Sequence, residues 1–169
     1  MSKFTHAHGV DMVATLKHGV DNDTNPGVYI HGVNCQGVAK SGIAGQLVKA
    51  FPGAFDIYCN VVRQNKEEGF RSSKLLGGSV SWILSPSHIL VHCFTQDGYG
   101  RNPEVIYADY LAIRSCMRDM SWRVPAIKRL GLHYPMIGAG LANGDWDIIH
   151  QIIEEEIPPT VHRTLYTLD

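Results

Sequence analysis

The stretch YIHGVNCQGVAKSGIAGQLVKAFPGAFDIY, residues 29–58, decides the fold of this chain. A β-rich run over Val28–Val33 leads into a glycine-rich turn, and a helical pattern begins near Ser41. Ser41 suits the N-cap of that helix and Pro52 its end. Because a strand, a glycine-rich loop and a helix N-terminus together offer backbone N–H groups to an anion, the stretch predicts a phosphate-binding loop. An ordinary tight connection without a ligand is the alternative.

The turn fits neither of two common nucleotide-binding motifs. A P-loop needs a glycine directly before its lysine and another glycine earlier in the loop, where this chain has Ala39 and Asn34. The dinucleotide pattern G-x-G-x-x-G fails because the glycines stand at Gly32, Gly37 and Gly42. The sequence therefore predicts a phosphate loop of some other family.

A second glycine-rich loop, GAGLANG at Gly138–Gly144, follows an apolar run over Leu132–Ile137 and precedes a helical pattern that Asp145 opens. Ligands of α/β proteins bind beyond the carboxyl ends of strands, so two such loops can line neighbouring strand ends and face one crevice. We therefore expect each loop to hold one side of a pyrophosphate. Two unrelated turns are the alternative.

Strands and helices alternate along the chain, which predicts one three-layer α/β domain over residues 1–169. The sheet is expected to be mixed and mostly parallel, because the two strands around Pro86 are joined too tightly for a crossover. The strands are predicted at Lys3–His8, Val28–Val33, Ser79–Leu84, His88–Phe94, Leu132–Ile137 and Val161–Leu168. The helices are predicted at Ser41–Phe51, Ala54–Lys66, Pro103–Met120 and Asp145–Glu156, the last ending in acids that oppose its dipole.

Composition and charge restrict the partners of the chain. Its net charge is -1 and its pI about 6.7, with no basic block, so no extended nucleic-acid surface is expected. No apolar run approaches the ~18 residues of a membrane span, and the first residues, MSKFTHAHG, lack the apolar region of a secretory signal. The four cysteines form no CxxC pair, so we expect neither zinc nor disulfides. We expect a cytoplasmic monomer without metal or cofactor.

Several short motifs accompany the two loops: HGVNCQG at 31–37, SGIA at 41–44, FTQDGYGR at 94–101, YPMIGAGL at 134–141 and GDW at 144–146. Together with Phe51, Pro52, Tyr58 and Tyr166 they resemble a macro domain, the ADP-ribose-binding α/β fold. Each motif alone is weak, but the combination is specific and covers nearly the whole chain. The resemblance implies that the ligand is ADP-ribose or ADP-ribose 1″-phosphate.

Within that family the first loop most resembles the ADP-ribose 1″-phosphate phosphatases, whose pattern H-x-x-N-C-x-G-x-x-x-x-G-I-A is matched without a gap by residues 31–44. The resemblance implies an essential histidine at His31 and an essential aspartate, in the loop after a later strand, at Asp97. The related glycohydrolases, which release ADP-ribose from acidic residues, use a lysine in the first loop and an aspartate in the second. Their places fall here on Val38 and Ala142, with Lys40 nearby.

The resemblance also implies which residues hold the ligand. Asp11 is expected near the adenine, Asn34 at the distal ribose hydroxyls and Tyr166 stacked on the adenine. Their alternatives are a turn-forming aspartate, an Asx-type turn cap and a plain core aromatic. Backbone N–H groups of both loops are expected on the phosphates, where glycine permits close approach. The expected binding residues are Asp11, Met12, Asn34, Gln36, Gly37, Lys40, Ser41, Gly42, Ile43, Ile137, Gly138, Ala139, Gly140, Leu141, Asn143 and Tyr166.

The predicted chemistry depends on His31 and Asp97. His31 lies in one predicted strand and Asp97 follows another, and we expect the ends of both strands at one crevice. A histidine near neutral pH can act as a general acid or bind phosphate, and a carboxylate can activate water or attack phosphorus. For His31, a hydrogen-bonded strand histidine without a catalytic role is the alternative.

Three functions stay open: a phosphatase acting on ADP-ribose 1″-phosphate, a hydrolase that removes ADP-ribose from protein or nucleic acid, and a catalytically silent ADP-ribose-binding module. The pair of His31 and Asp97 favours the phosphatase over the silent module. Val38 and Ala142 disfavour the hydrolase. We therefore expect a phosphatase.

Overall fold

A central sheet of six strands runs through the computed structural model, which describes residues 3–169. Its strands are β1 (Phe4–His8), β2 (Gly27–Asn34), β3 (Ser79–Ser85), β4 (His88–Gln96), β5 (Leu132–Pro135) and β6 (Arg163–Thr167). They lie side by side in the order β1-β6-β5-β2-β4-β3. Every neighbouring pair is parallel except the antiparallel hairpin of β3 and β4, so the predicted mixed, mostly parallel sheet is confirmed.

Helices cover both faces of this sheet. They are α1 (Met12–Asn22), α2 (Gly42–Ala50), α3 (Pro52–Glu67), α4 (Tyr110–Arg123), α5 (Ala126–Leu130) and α6 (Trp146–Glu156), with a short 3₁₀ turn at Ser72–Leu75. On one face, α4 and α6 pack with Val28 and Ile30 of β2, and on the other face α1 and α2 pack with Tyr29. All three side chains are fully buried, because successive side chains of a central strand point into opposite helical layers.

The order of the strands brings the two glycine loops together. Strand β2 lies between β4 and β5 and is parallel to both, so the carboxyl ends of all three meet at one edge of the sheet. The first glycine loop follows β2 and the second follows β5. Both loops therefore leave the sheet at neighbouring positions on the same edge.

Helix α4 begins later than the sequence predicts. The predicted start at Pro103 is wrong, because residues 103–109 are not helical and the side chains of Val105 and Ile106 are exposed. The carboxylate of Asp109 caps the helix instead, accepting a hydrogen bond from the backbone N–H of Ala112 at 2.9 Å. An aspartate at this position satisfies a donor of the first turn that has no partner within the helix, and it sets the boundary.

The predictions omit two helices, α1 and α5. In α1 the buried residues Met12, Val13 and Leu16 face the sheet, and the Asp11 carboxylate caps the helix by accepting from the Val13 backbone N–H at 2.8 Å. Helix α5 is a single short element with Ile127 buried in the core. The remaining elements occur where the sequence predicts them, with ends that differ by a few residues, most visibly in β5 and β6.

The acids that end α6 occur there as predicted, and cross-helix ion pairs explain them. Glu156 lies 2.9 Å from Arg114 and 2.9 Å from Arg118, two residues of the neighbouring α4. Glu155 lies 2.7 Å from Arg114. These pairs offset the unfavourable position of carboxylates at the negative end of a helix dipole.

Two further observations concern membrane-spanning helices and the cysteines. Within residues 3–169, none of the helices is long and apolar enough to cross a membrane. The cysteines are all free thiols, with Cys35, Cys93 and Cys116 buried and Cys59 partly buried. Cys93 and Cys116 are small core residues of the layer that contains α4.

Candidate functional site

The two glycine loops meet at one cavity of about 620 Å³ beyond the carboxyl ends of β2, β4 and β5. That volume lies within the range of about 300–1,000 Å³ that is typical of small-molecule sites. The lining comes from three parts of the chain, within residues 31–44, 95–101 and 135–142. The first and third contain the predicted loops, so the prediction that both loops face one crevice is confirmed.

The first loop is held in shape by its own side chains. The Asn34 amide donates to the Val38 carbonyl at 2.7 Å, and its Oδ1 accepts from the backbone N–H groups of Gln36 and Val38 at 3.0 and 3.3 Å. The Tyr58 hydroxyl, from α3, lies 2.7 Å from the Asn34 carbonyl oxygen and 2.9 Å from its Oδ1. Asn34 therefore acts as an Asx-type turn cap in this structure, and its expected contact with the distal ribose stays a prediction.

The backbone of this loop turns through two glycines on its way into α2. Gly37 and Gly42 have φ angles of 76° and 61°, in the left-handed region that favours glycine. Ser41 occupies the predicted N-cap position, but its side chain makes no capping hydrogen bond within the described chain. Ser41 is instead part of the cavity lining, next to the N-terminus of α2.

The second loop is closed by one short backbone bond. Gly138 has a φ angle of 73°, and its carbonyl accepts from the Gly144 N–H at 2.7 Å. A Cβ at Gly144 would lie 2.5 Å from that carbonyl oxygen, so only glycine permits this closure. The Asn143 amide donates to the carbonyls of Asn102 and Val105 at 2.9 and 2.7 Å, which ties the loop to the segment before α4.

His31 lies in the wall of the cavity and is almost fully buried, with 3% of its surface exposed. Its ring meets the ring of His92 edge to face, and its Nε2 is hydrogen-bonded to Nδ1 of His92. His92 in turn places its Nε2 2.8 Å from the carbonyl oxygen of Ala54. The other nitrogen of His31, Nδ1, is buried and has no hydrogen-bond partner in the described residues.

This environment determines the charge of His31. Burial lowers the pKa of His31 well below its ordinary value, and the neighbouring His92 lowers it further. A lowered pKa favours the neutral ring, which disfavours the expected role of general acid near neutral pH. Because Nε2 is engaged with His92, Nδ1 is the nitrogen of His31 that remains for a ligand.

Asp97 does not join His31 at the cavity. Its carboxylate accepts from the Ser72 hydroxyl at 2.6 Å and from the Gln36 amide at 3.1 Å, and it lines a second cavity of about 500 Å³. The prediction that the two side chains share one crevice is wrong. Next to Asp97, the register between β2 and β4 shifts, so that Gln96 lies opposite Asn34.

Most of the expected binding residues line the cavity, namely Asn34, Lys40, Ser41, Gly42, Ile43, Ile137, Gly138, Gly140 and Leu141. The others do not: Asp11, Met12, Gln36, Gly37, Ala139, Asn143 and Tyr166. The expected adenine contacts belong to this second set. Asp11 caps α1, Met12 is buried in the core, and the Tyr166 hydroxyl is hydrogen-bonded to Nδ1 of His133 at 2.8 Å. Tyr166 is thus the core aromatic of the alternative interpretation.

Three lining residues were not singled out in the sequence: Thr95, Tyr99 and Arg101. Thr95 is fully buried, its Oγ1 has no partner among residues 3–169, and a Cβ at Gly32 would lie 2.5 Å from that oxygen. All three belong to the FTQDGYGR motif. The position of this motif after a predicted strand could have indicated that it lines the site, because ligands of α/β folds bind beyond the carboxyl ends of strands.

The charged side chains that line the cavity are all positive. The charged residues of its lining are Lys40 and Arg101, and none of the described lining residues is Asp or Glu. Neither cation forms an ion pair with a carboxylate in the part of the chain that the structure covers. Nor does that part contain a group of three or more His, Cys, Asp or Glu residues placed to hold a metal ion. The two cations, unpaired in the described structure, make the cavity suited to an anion.

Comparison with known sequences identifies a family model and a relative. The model described as the Macro domain matches residues 30–153. Over 128 residues the chain is 33% identical to the "uncharacterized 17.5 kDa protein in tk-vs intergenic region" of Enterobacteria phage T4, a match that covers 73% of this chain and 76% of the phage protein. Both glycine loops lie inside the region that the family model matches.

Two solved structures illustrate the likeness of the fold. The macrodomain of Thermus aquaticus DarG superposes with a TM-score of 0.71 at 16% identity, over 97% of this chain and 99% of that one. Thermosipho africanus DarTG, in complex with ADP-ribose, superposes with a TM-score of 0.67 at 14% identity, over 85% of this chain and 38% of that one. At these identities the likeness concerns the fold.

Proposed function

The chain belongs to the macro domain family, whose members bind ADP-ribose, and from this premise we propose that it hydrolyses ADP-ribose 1″-phosphate to ADP-ribose and phosphate. Macro domains are often hydrolases of ADP-ribose derivatives. The phosphatase branch is favoured by the H-x-x-N-C-x-G-x-x-x-x-G-I-A pattern that begins at His31. Ligand contacts are expected from the cavity-lining residues of the two loops.

The charge of the cavity is the observation that supports a phosphorylated substrate most strongly. ADP-ribose carries a pyrophosphate, and the 1″-phosphate adds a third phosphoryl group at the far end of the molecule. Backbone N–H groups of the two glycine loops suit the pyrophosphate. Lys40 and Arg101 are cations without carboxylate partners in the described structure, and they suit the additional phosphate.

Hydrolysis needs an attacking water and stabilisation of the charge that develops on the phosphoryl oxygens. In the proposed reaction the water oxygen bonds to phosphorus, the bond between phosphorus and the anomeric oxygen breaks, and Nδ1 of His31 takes the proton of the water. Lys40 and Arg101 offset the developing charge. The leaving oxygen takes a proton from solvent, and His31 later returns its own proton to solvent, which leaves ADP-ribose and phosphate.

A hydrolase that removes ADP-ribose from protein or nucleic acid is the second candidate, because macro domains are often hydrolases that act on ADP-ribose derivatives. Against it stand Val38 and Ala142. They line the cavity at the places where the related glycohydrolases carry a lysine and an aspartate. A cavity without a carboxylate in its described lining lacks the usual base for that reaction.

The experiment offers the purified protein ADP-ribose 1″-phosphate, an ADP-ribosylated protein and ADP-ribosylated DNA, and it measures phosphate and free ADP-ribose separately. We expect phosphate release from the first substrate and at most slow release of ADP-ribose from the others. Release of ADP-ribose from a macromolecule without phosphatase activity would establish the second candidate instead. Calorimetric binding of ADP-ribose without turnover of any substrate would leave a silent binding module.

A further inference from the structure

We propose that His92, which lies outside the cavity, is a positioning residue: it fixes His31 in the tautomer that carries its proton on Nε2, so that Nδ1 remains the acceptor offered to water or ligand. This rests on the function proposed above, in which His31 acts on the attacking water. His92 is buried, with 3% of its surface exposed, and it is not part of the cavity lining. It would act on the reaction only through His31.

Hydrogen bonds link His31 to His92 and His92 to the carbonyl of Ala54, and this carbonyl determines which ring nitrogens carry protons. The Ala54 carbonyl can only accept, so the His92 Nε2 that lies 2.8 Å from it carries a hydrogen. Burial lowers the pKa of His92, so the ring is neutral at physiological pH and its Nδ1 carries none. Nδ1 of His92 therefore accepts, and Nε2 of His31 donates to it.

One nitrogen remains after this assignment. Nδ1 of His31 is an unprotonated acceptor that is buried and lacks a partner within residues 3–169. A buried polar atom without a partner is uncommon in folded proteins and marks a place for a water or a ligand. Because His31 is part of the cavity wall, that water or ligand belongs to the cavity.

The other groups around the pair do not change this assignment. The ring of Tyr58 lies 5.7 Å from the ring of His92, and burial raises the pKa of Tyr58, so its hydroxyl stays protonated. That hydroxyl is already directed at Asn34. The carbonyl of Ala54 belongs to the first turn of α3, so the position of α3 against the sheet sets the tautomer of His31.

The test reads the tautomer directly, by long-range ¹H–¹⁵N correlation spectra of the ¹⁵N-labelled protein. In the wild type we expect the His31 Nδ1 signal at the frequency of an unprotonated nitrogen and the Nε2 signal at that of a protonated one. Addition of ADP-ribose should shift the Nδ1 signal. His88 serves as the internal control, because both its nitrogens are bound, to the Ser85 hydroxyl and the Thr24 carbonyl, away from the cavity. A His31 protonated on Nδ1 would overturn the inference.

Two variants separate positioning from mere packing. His92→Leu removes the acceptor, and we expect kcat to fall by about tenfold or more with KM little changed, a cost like that of losing the hydrogen-bond partner that orients a metal-ligating histidine. His92→Asn keeps an oxygen acceptor, and we expect it to retain most of the wild-type kcat. Equal kcat in His92→Leu and the wild type, or equal loss in both variants at matched Tm, would contradict positioning.

Failure of the inference about His92 can be distinguished from failure of the proposed phosphatase function. If the wild type releases no phosphate, the phosphatase proposal fails, while the spectra of the wild type and of His92→Asn still decide the tautomer. If His92→Leu does not fold, those same spectra decide it. A wild-type spectrum with His31 on the Nε2–H tautomer, together with a mixed tautomer in the folded His92→Leu protein, would support the role of His92.

Discussion

The hydroxyl of Tyr58 lies 2.7 Å from the carbonyl oxygen of Asn34 and 2.9 Å from its side-chain Oδ1. Through this contact, helix α3 holds the first glycine loop at the end of β2. Tyr58 is fully buried, and Asn34 is buried as well, so water cannot replace the hydroxyl. The shape of the phosphate loop therefore depends on a residue that does not itself line the cavity.

Tyr58→Phe should destabilise the protein by about 1–3 kcal/mol, because it removes the buried hydroxyl that donates to the Asn34 carbonyl oxygen. Urea unfolding measures the loss, and calorimetry should show weaker binding of ADP-ribose. Tyr134→Phe is the matched control, since the Tyr134 hydroxyl is buried without a partner in the described residues and its removal should cost little. Equal losses in the two variants would contradict a special role for the Tyr58 hydroxyl.

Lys40→Ala and Arg101→Ala should each weaken binding of ADP-ribose 1″-phosphate by about 3- to 10-fold, because each removes a cation from the cavity. The loss should shrink at high salt, since the side chains are exposed and their charges are screened. Calorimetry at two salt concentrations measures both effects. Lys49→Ala is the control, because Lys49 lies on α2 but outside the cavity lining. This variant should bind the ligand as tightly as the wild type does.

Gly32→Ala should distort the cavity, because its Cβ would lie 2.5 Å from Oγ1 of Thr95 and 3.3 Å from Cγ2 of Ile137. Such overpacking costs about 1–3 kcal/mol, and we expect a lower Tm together with weaker ADP-ribose binding. Gly98→Ala is the comparison, because a Cβ there would meet no described atom within 4 Å. A Gly32→Ala protein with the stability and affinity of Gly98→Ala would show that the site tolerates the added methyl group.

The free energy of unfolding should fall as the pH is lowered from about 7 to about 5. Burial lowers the pKa of His31, of His92 and of His133, the last to about 4. In the unfolded chain their pKa returns to about 6.5, so the unfolded state binds more protons in this interval and stability rises with pH. Urea titrations at several pH values measure the slope, and His133→Gln should reduce it. A stability that is constant or rises on acidification would contradict neutral buried histidines.

Asp97→Asn should retain phosphate release within about threefold of the wild type, whereas His31→Ala should lose most of it, about 100-fold or more. The Asp97 carboxylate lies in the second cavity, bonded to Ser72 and Gln36, and does not reach the first. Steady-state kinetics with ADP-ribose 1″-phosphate measures both variants. Equal and complete loss in the two would mean that Asp97 enters the first cavity during turnover.

The central part of the fold was predictable because local signals agree there. Val28, Ile30 and Val33 are apolar and β-branched, the glycines that follow mark the turn, and the pattern from Gly42 onward is helical. The second loop repeats the same signals. That both loops face one cavity was predictable without the strand order, because ligands of α/β proteins bind beyond the carboxyl ends of strands.

The misplaced start of α4 shows where local signals mislead. Pro103 is a common first residue of a helix, and Val105 and Ile106 fit the helical period, yet both side chains are exposed. The residue that caps the helix, Asp109, was not distinguishable from other aspartates before the surrounding contacts were known.

The direction of side chains at the strand ends was beyond the sequence, because it depends on tertiary contacts. The register between β2 and β4 shifts by one residue next to Asn34, and no pattern in either strand marks that shift. The partner of His31 is another example. His92 is distant in sequence, and only the pairing of His31 with His92 across β2 and β4 reveals that the two rings meet.

A crystal structure of the His31→Ala variant with ADP-ribose 1″-phosphate tests the central claim most directly, because it shows the ligand, both loops and the vacated histidine position together. We expect the pyrophosphate within hydrogen-bond distance of backbone N–H groups in residues 38–44 and 138–142, with the third phosphate near Lys40 or Arg101 and beside the position of His31. A pyrophosphate bound by one loop alone, or a ligand seated in the cavity of Asp97, would contradict it.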